Sequence, residues 1–94
     1  MIIVTVKAKP KSEHKQDFLN AFHAVSQLVY KEKGCIEYEI YQKNADSSDI
    51  FLFERWESQE HLKAHLESDH MKDFFAMTKS WFNHEPEIKT YEVK

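Results

Sequence analysis

Cysteine, glycine and proline are scarce in this sequence. Among 94 residues there is one cysteine, Cys35, one glycine, Gly34, and two prolines. A single cysteine cannot form an intrachain disulfide, which excludes the disulfide-rich secreted domains and favours a reducing cytoplasm. We expect Cys35 to be a small buried side chain, with a catalytic thiol as the alternative.

Long apolar runs and clusters of basic residues are also missing. No stretch approaches the roughly 18 apolar residues of a membrane span. The first residues, MIIVTVKAKPK, are typical of a strand and not of a signal peptide. The net charge is -3 and no basic run occurs, so the electrostatic footprint of a nucleic-acid-binding protein is absent.

Aromatic residues, by contrast, are abundant, with seven Phe, four Tyr and two Trp. They indicate a well-filled core and a flat, apolar binding pocket. The length predicts one domain over residues 1–94. A chain this short exposes much of its surface, so oligomerisation is a common way for it to gain stability.

Hydrophobic periodicity predicts seven elements. Period-two alternation indicates strands, and apolar residues spaced three and four apart indicate helices. Gly34 stands where the C-cap of the first helix is expected, and Ser58 and Ser68 stand where N-caps are expected. The predicted strands are 2–9, 35–42, 50–56 and 87–93, and the predicted helices are 13–33, 59–67 and 70–82. The order β-α-β-β-α-β predicts an α+β, ferredoxin-like fold with an antiparallel sheet and helices on one face.

The predicted third strand is apolar on both faces. A sheet with one wet face should alternate cleanly between apolar and polar residues. Here Ile50, Leu52 and Trp56 point one way, whereas Phe51 and Phe53 point the other. Ile3 and Tyr41 belong to that second face, which the helices would not cover. Such a patch is large for a monomer and predicts a homodimer that packs sheet against sheet; an apolar face that stays uncovered is the alternative.

The stretch HLKAHLESDH holds three histidines, which raises the question of a metal site. His61 and His65 are four residues apart, as in the zinc motif H-E-x-x-H, but the glutamate of that motif is absent. On a helical wheel His65 borders the apolar stripe and His61 lies toward solvent. We therefore expect no metal. His65 and His70 are predicted to flank a helix break and face one apolar pocket, where a histidine could transfer a proton; histidines satisfied by the backbone are the alternative.

Glu54 is an acidic residue in the otherwise apolar row of Leu52 and Trp56. A buried carboxylate has to be paired, hydrogen-bonded or protonated. If this face meets the helices, Glu54 could orient a histidine and raise its basicity. A salt bridge to a lysine at the sheet edge is the other interpretation.

Three motifs in order resemble the antibiotic biosynthesis monooxygenase family. They are Gly34-Cys35-Ile36-Glu37-Tyr38-Glu39, Phe51-Leu52-Phe53-Glu54-Arg55-Trp56-Glu57-Ser58, and His65 with Ser68-Asp69-His70. The resemblance spans essentially the whole chain. It implies a dimeric α+β barrel of two ferredoxin-like subunits, each with a pocket between sheet and helices. Relatives include quinol and anthrone monooxygenases that use oxygen without metal, flavin or haem, haem-degrading enzymes, and an isomerase of a phosphorylated signalling sugar.

Haem degradation fits this sequence poorly, because the asparagine and tryptophan of those relatives are absent from their places; His65 holds the place of the tryptophan. We therefore predict a cytoplasmic homodimer that oxidises a small hydroquinone, polyphenol or polyketide with molecular oxygen and needs no cofactor. His65, His70 and Glu54 are the predicted catalytic residues, and Trp56, Tyr38 and Phe74 the predicted substrate-binding residues. The alternatives are a cofactor-free isomerase of a small carbonyl compound, as in autoinducer-2 processing, and a small-molecule binder without turnover.

Overall fold

The computed structural model describes residues 1–45 and 47–94. In these ranges four antiparallel strands form one sheet in the order β2-β3-β1-β4, and three α-helices pack on one of its faces. The ferredoxin-like α+β prediction is thereby confirmed. The elements are β1 (Ile2–Ala8), a 3₁₀ turn (Ser12–His14), α1 (Lys15–Val29), β2 (Cys35–Gln42), β3 (Ile50–Trp56), α2 (Gln59–Leu66), α3 (Asp69–Thr78), a 3₁₀ turn (Lys79–Trp81) and β4 (Glu87–Glu92).

The first helix is shorter than predicted, and this is important for the site. It spans Lys15–Val29 instead of 13–33, and the chain then turns tightly through 30–34 before β2 begins. Gly34 is therefore not the residue that ends the helix. It has a φ of 85°, which only glycine adopts without strain, and it closes the turn into β2. The sequence pattern did not locate this end. The apolar stripe stops at Val29, and the polar residues that follow are compatible with either a helix or a turn.

The second half of the chain follows the prediction more closely. The Ser58 hydroxyl accepts a hydrogen bond from the backbone N–H of His61 and caps α2, as expected. Ser68 starts α3 but does not cap it with its side chain. Instead its hydroxyl donates to the carbonyl of His65 at 2.7 Å and ties the end of α2 to the start of α3. In the described ranges, no helix combines the length and the apolar character needed to cross a bilayer.

The sheet contains a bulge in β2, whereas the last strand is regular. β4 pairs with β1 in one register from Glu87 to Glu92. The irregularity lies in β2, between Cys35 and Glu37. Simple alternation would place Ile36 and Tyr38 on the same face, but the bulge separates them, so that Ile36 is 41% exposed whereas Tyr38 is 2% exposed.

The two faces of the sheet differ as the alternation predicted. Ile50 and Trp56 are buried in the main core, and Leu52 packs against it on the same face. On the opposite face Phe51 and Phe53 are only partly buried, and Tyr41 is 50% exposed. This second face is called the outer face below. It consists of Ile3, Thr5, Tyr41, Phe51, Phe53 and Tyr91 with the charged residues between them.

Candidate functional site

A cavity of about 220 Å³ lies between the sheet and the helices. Its wall is formed almost entirely by apolar side chains from all four strands, from the three helices and from the segment before β4. The few polar side chains in the wall are Tyr38, Glu54, His65, Thr78 and Thr90. Its principal apolar residues are Val4, Val6, Phe18, Phe22, Ile40, Leu52, Leu62, Met71, Phe74, Phe75, Phe82 and Ile88.

His65 stands in the last turn of α2, and its ring closes one end of the cavity. The side chain is 1% exposed, although the helical wheel placed it only at the border of the apolar stripe. Its Nδ1 lies 2.9 Å from a carboxylate oxygen of Glu32, and the Trp56 ring packs 4.4 Å away, centre to centre. Burial lowers the pKa of the imidazole, the hydrogen bond and charge of Glu32 partly oppose this effect, and His70 adds to it. His65 is thus a neutral base around pH 7.

Glu32 is the site residue that sequence reasoning missed. It lies in the turn after α1, and its Oε2 is 2.9 Å from Nδ1 of His65 and 2.7 Å from Nε2 of His70, both within hydrogen-bond distance. A carboxylate in this position holds His65 in the tautomer with a proton on Nδ1. The unprotonated Nε2 is then the basic atom. Because Glu32 was placed inside a helix, no local signal distinguished it from the charged residues beside it.

Glu54 lies at the same end of the cavity and is 5% exposed. Its Oε1 accepts a hydrogen bond from the indole N–H of Trp56 at 2.9 Å. Burial raises the pKa of Glu54 to about 7; the bond from Trp56 opposes the rise and the charge of Glu32 adds to it. Nε2 of His65 is 3.7 Å from Oε1, beyond a direct hydrogen bond. The orienting role predicted for Glu54 is therefore filled by Glu32, whereas Glu54 is an acid beside the basic nitrogen.

His70 does not share the cavity with His65, contrary to expectation. It stands in the first turn of α3, its side chain is 24% exposed, and it meets His65 only through Glu32. His61 is not simply a solvent-side residue either. Its ring packs against Gly34, where a methyl group would overlap it, and its Nδ1 lies 2.7 Å from the Ser58 hydroxyl.

The three predicted binding residues occupy different positions. Tyr38 lines the cavity and stacks on Phe22 at 5.0 Å, and burial raises the pKa of its phenol, which stays protonated. Phe74 lines the cavity and packs against Phe18. Trp56 is fully buried behind the wall, so its place is that of a support for His65 and Glu54.

Cys35 is partly buried at the start of β2. Burial raises its pKa to about 11, and the charges of Glu32 and Glu54 act in the same direction. The thiol is therefore protonated at neutral pH and a poor nucleophile. Over residues 1–45 and 47–94 no group of three or more His, Cys, Asp or Glu residues is arranged to hold a metal ion.

Comparison with known proteins agrees with this architecture. The family model described as antibiotic biosynthesis monooxygenase matches residues 1–77. The Escherichia coli K12 protein named "Probable quinol monooxygenase YgiN" is 33% identical over 87 residues, with 83% of each chain covered. The crystal structure of a conserved protein from Methanosarcina mazei Go1 superposes with a TM-score of 0.92 at 32% identity, covering 99% of this chain and 92% of that one. Rv0793 from Mycobacterium tuberculosis shares the fold, with a TM-score of 0.90 at 22% identity and coverage of 99% and 94%. The chain belongs to the antibiotic biosynthesis monooxygenase family.

Proposed function

We propose that this protein is a monooxygenase that oxidises a small, flat aromatic substrate of the hydroquinone, polyphenol or polyketide type with molecular oxygen and without a cofactor. The observation that carries the proposal is the hydrogen bond from Nδ1 of His65 to Glu32, since it leaves Nε2 basic at the wall of an apolar cavity. The printed name of the E. coli relative, a quinol monooxygenase, points to the same substrate class.

The cavity suits such a substrate in shape and polarity. Aromatic side chains, among them Phe18, Phe22 and Phe74, offer faces and edges to a planar ring. The carboxyl group of Glu54 and the imidazole of His65 lie side by side in the wall, so a phenolic hydroxyl is expected to point toward them. Exclusion of water by the apolar wall strengthens the interaction between this hydroxyl and the base.

The first step is removal of a phenolic proton by Nε2 of His65. The imidazolium that forms donates its Nδ1 proton toward Glu32 in a charge-assisted hydrogen bond. Burial alone disfavours a charged imidazole, and the Glu32 carboxylate offsets part of that cost. The arrangement is the base-and-orienter pair common to enzymes that activate weak acids.

The deprotonated hydroquinone can then pass an electron to oxygen, which neutral phenols do poorly. Recombination of the two radicals forms a carbon–oxygen bond, and cleavage of the oxygen–oxygen bond releases water. Hydroquinone and oxygen thus give a hydroxyquinone and one water molecule, and all the electrons come from the substrate. Glu54, with a pKa of about 7, is half protonated near neutrality and can donate a hydrogen bond to the oxygen atom that gains charge.

We also propose that the protein acts as a homodimer joined through the outer face. On this face Phe51 and Phe53 lie in adjacent rows with Tyr41 and Tyr91, and the two tyrosines are 50% and 47% exposed. Burying such a patch against a second copy removes apolar area from water. A chain with a single cysteine suits a reducing compartment, and we propose the cytoplasm as its site of action.

Oxygen uptake with a panel of hydroquinones and polycyclic phenols tests the function. We expect wild type to consume oxygen and His65→Gln to lose about 100-fold or more of that activity, the scale of a missing general base. His23→Gln, which changes an exposed histidine of α1, is the matched control and should leave activity unchanged. If wild type consumes no oxygen with any substrate, or if His65→Gln is as active as wild type, the proposal is wrong. Rearrangement of a carbonyl substrate without oxygen use would reveal an isomerase, and ligand-induced stabilisation without product a binder.

A further inference from the structure

The arrangement around Glu32 extends beyond the cavity. We propose that Glu32 and His70 form a proton path between buried His65 and solvent, which carries the substrate proton out and returns a proton when the oxygen–oxygen bond breaks. This inference rests on the proposed role of His65 as a base. It assigns functions to two residues that lie outside the cavity wall.

The geometry forms a continuous path with increasing exposure. The side chain of His65 is 1% exposed, that of Glu32 is 15% exposed and that of His70 is 24% exposed. The two contacts that join them measure 2.9 and 2.7 Å, both within hydrogen-bond range and both to the same carboxylate oxygen. The three residues come from the end of α2, the turn after α1 and the start of α3. The bond from Ser68 to the carbonyl of His65 holds the two helix ends in this relation.

Proton transfer along this path balances over one turnover. Substrate deprotonation places a proton on Nε2 of His65, and the ring releases its other proton from Nδ1 to Glu32. The neutral carboxyl passes that proton to Nε2 of His70, in the tautomer of His70 that carries its own proton on Nδ1, and His70 releases the Nδ1 proton to water. When the oxygen–oxygen bond breaks, His65 donates its Nε2 proton to the departing oxygen, and the same transfers run in reverse from water through His70 and Glu32 to Nδ1 of His65. Both histidines regain their starting tautomers, the Glu32 carboxylate is restored, and no net proton is released, as the formation of a hydroxyquinone and water requires.

The other neighbours of His65 offer no equivalent route. The groups that face it are Glu32 from the turn, Glu54 from β3, the Tyr38 phenol from β2, and His70 through Glu32. Cys35 stands near both carboxylates but keeps its proton. Glu54 and Tyr38 are 5% and 2% exposed, and beyond them lies the apolar cavity that the substrate fills. A proton sent that way would stay in the cavity and not reach solvent.

Hydrogen exchange of the His65 imidazole tests the path without any substrate. In protein with ¹⁵N-labelled histidine, NMR follows exchange of the Nδ1 proton of His65 with water. We expect His70→Gln, whose amide can still donate to Glu32 but cannot relay a proton, to slow this exchange about tenfold or more. Glu32→Gln should slow it as well, and His23→Gln should not. Exchange that is equally fast in wild type and in both relay variants overturns the proposal.

Turnover provides an independent readout. His70→Gln should lower oxygen uptake, and added imidazole buffer should restore much of the lost rate by exchanging protons with Glu32 in place of His70. A loss that imidazole does not restore indicates a purely structural role for His70 and counts against the proton path. If wild type shows no turnover at all, the proposed function fails; the exchange measurement then still decides whether Glu32 and His70 conduct the proton.

Discussion

Glu54→Gln should make the protein more stable at alkaline pH and leave its stability unchanged in acid. Glu54 is buried between Trp56 and His65, and burial raises its pKa to about 7 from an ordinary value of 4.5. Glutamine has nearly the same shape and its carbonyl oxygen can accept the hydrogen bond from Trp56. The substitution therefore removes the ionisation of residue 54 with little change in packing.

The magnitude follows from the difference between the folded and the unfolded pKa. Below pH 4.5 Glu54 is protonated in both states and its titration has no effect on stability. Between 4.5 and about 7 the unfolded chain releases the proton while the folded protein retains it, so stability falls as pH rises. At roughly 1.4 kcal/mol per pH unit, the wild-type protein loses about 3 kcal/mol across this window relative to Glu54→Gln. His65, whose folded pKa is lowered, has the opposite dependence, but it is present in both proteins and its contribution largely cancels in the comparison.

Urea unfolding followed by circular dichroism at pH 4.5 and pH 8.5, at one protein concentration, measures this difference. Glu57→Gln is the control, because it removes an exposed carboxylate just beyond the same strand and should change stability by less than about 0.5 kcal/mol at either pH. Equal stability differences for Glu54→Gln at the two pH values, or a variant that is less stable than wild type at pH 8.5, would refute the reasoning.

Two further predictions concern the fold and the assembly. Gly34→Ala should destabilise the protein by about 1–3 kcal/mol, because the new methyl group overlaps the His61 ring and Gly34 has a φ of 85°. Thermal or urea unfolding measures this loss, and an unchanged stability would contradict the turn geometry. Phe53→Lys should convert the proposed homodimer to a monomer in analytical ultracentrifugation, because it places a charge in the apolar part of the outer face. Leu28→Lys, at an exposed position on α1, is the control and should leave the dimer intact. A wild-type monomer at micromolar concentration would exclude the dimer.

Most of the fold could be predicted from the sequence because local patterns carry it. Period-two alternation in β3 reports directly which side chains face the core, and both faces proved as expected. The Ser58 cap is equally local, since acceptor and donor are three residues apart. The end of α1 could not be predicted as well, because the last turn of a helix depends on backbone hydrogen bonds that the sequence pattern does not specify.

The site could be predicted only in part. His65 was found because it borders the apolar stripe of a helix, and Glu54 because it is an acid in an apolar row. Glu32 gave no such signal. It is 33 residues from His65 and 38 from His70 along the chain, so only the packing of the turn after α1 against the junction of α2 and α3 brings them together.

The sequence by itself therefore determined the order of strands and helices, the two-faced sheet and the candidacy of His65 and Glu54, since each depends on neighbours along the chain. The tertiary structure alone decided which carboxylate contacts His65, that Glu54 lies beside the basic nitrogen, and that His70 reaches the site from outside the cavity. These are distances between segments far apart in sequence, and they are set by packing and by the burial of charge. Hydrophobic periodicity reports only on neighbours along the chain and carries no information about such distances.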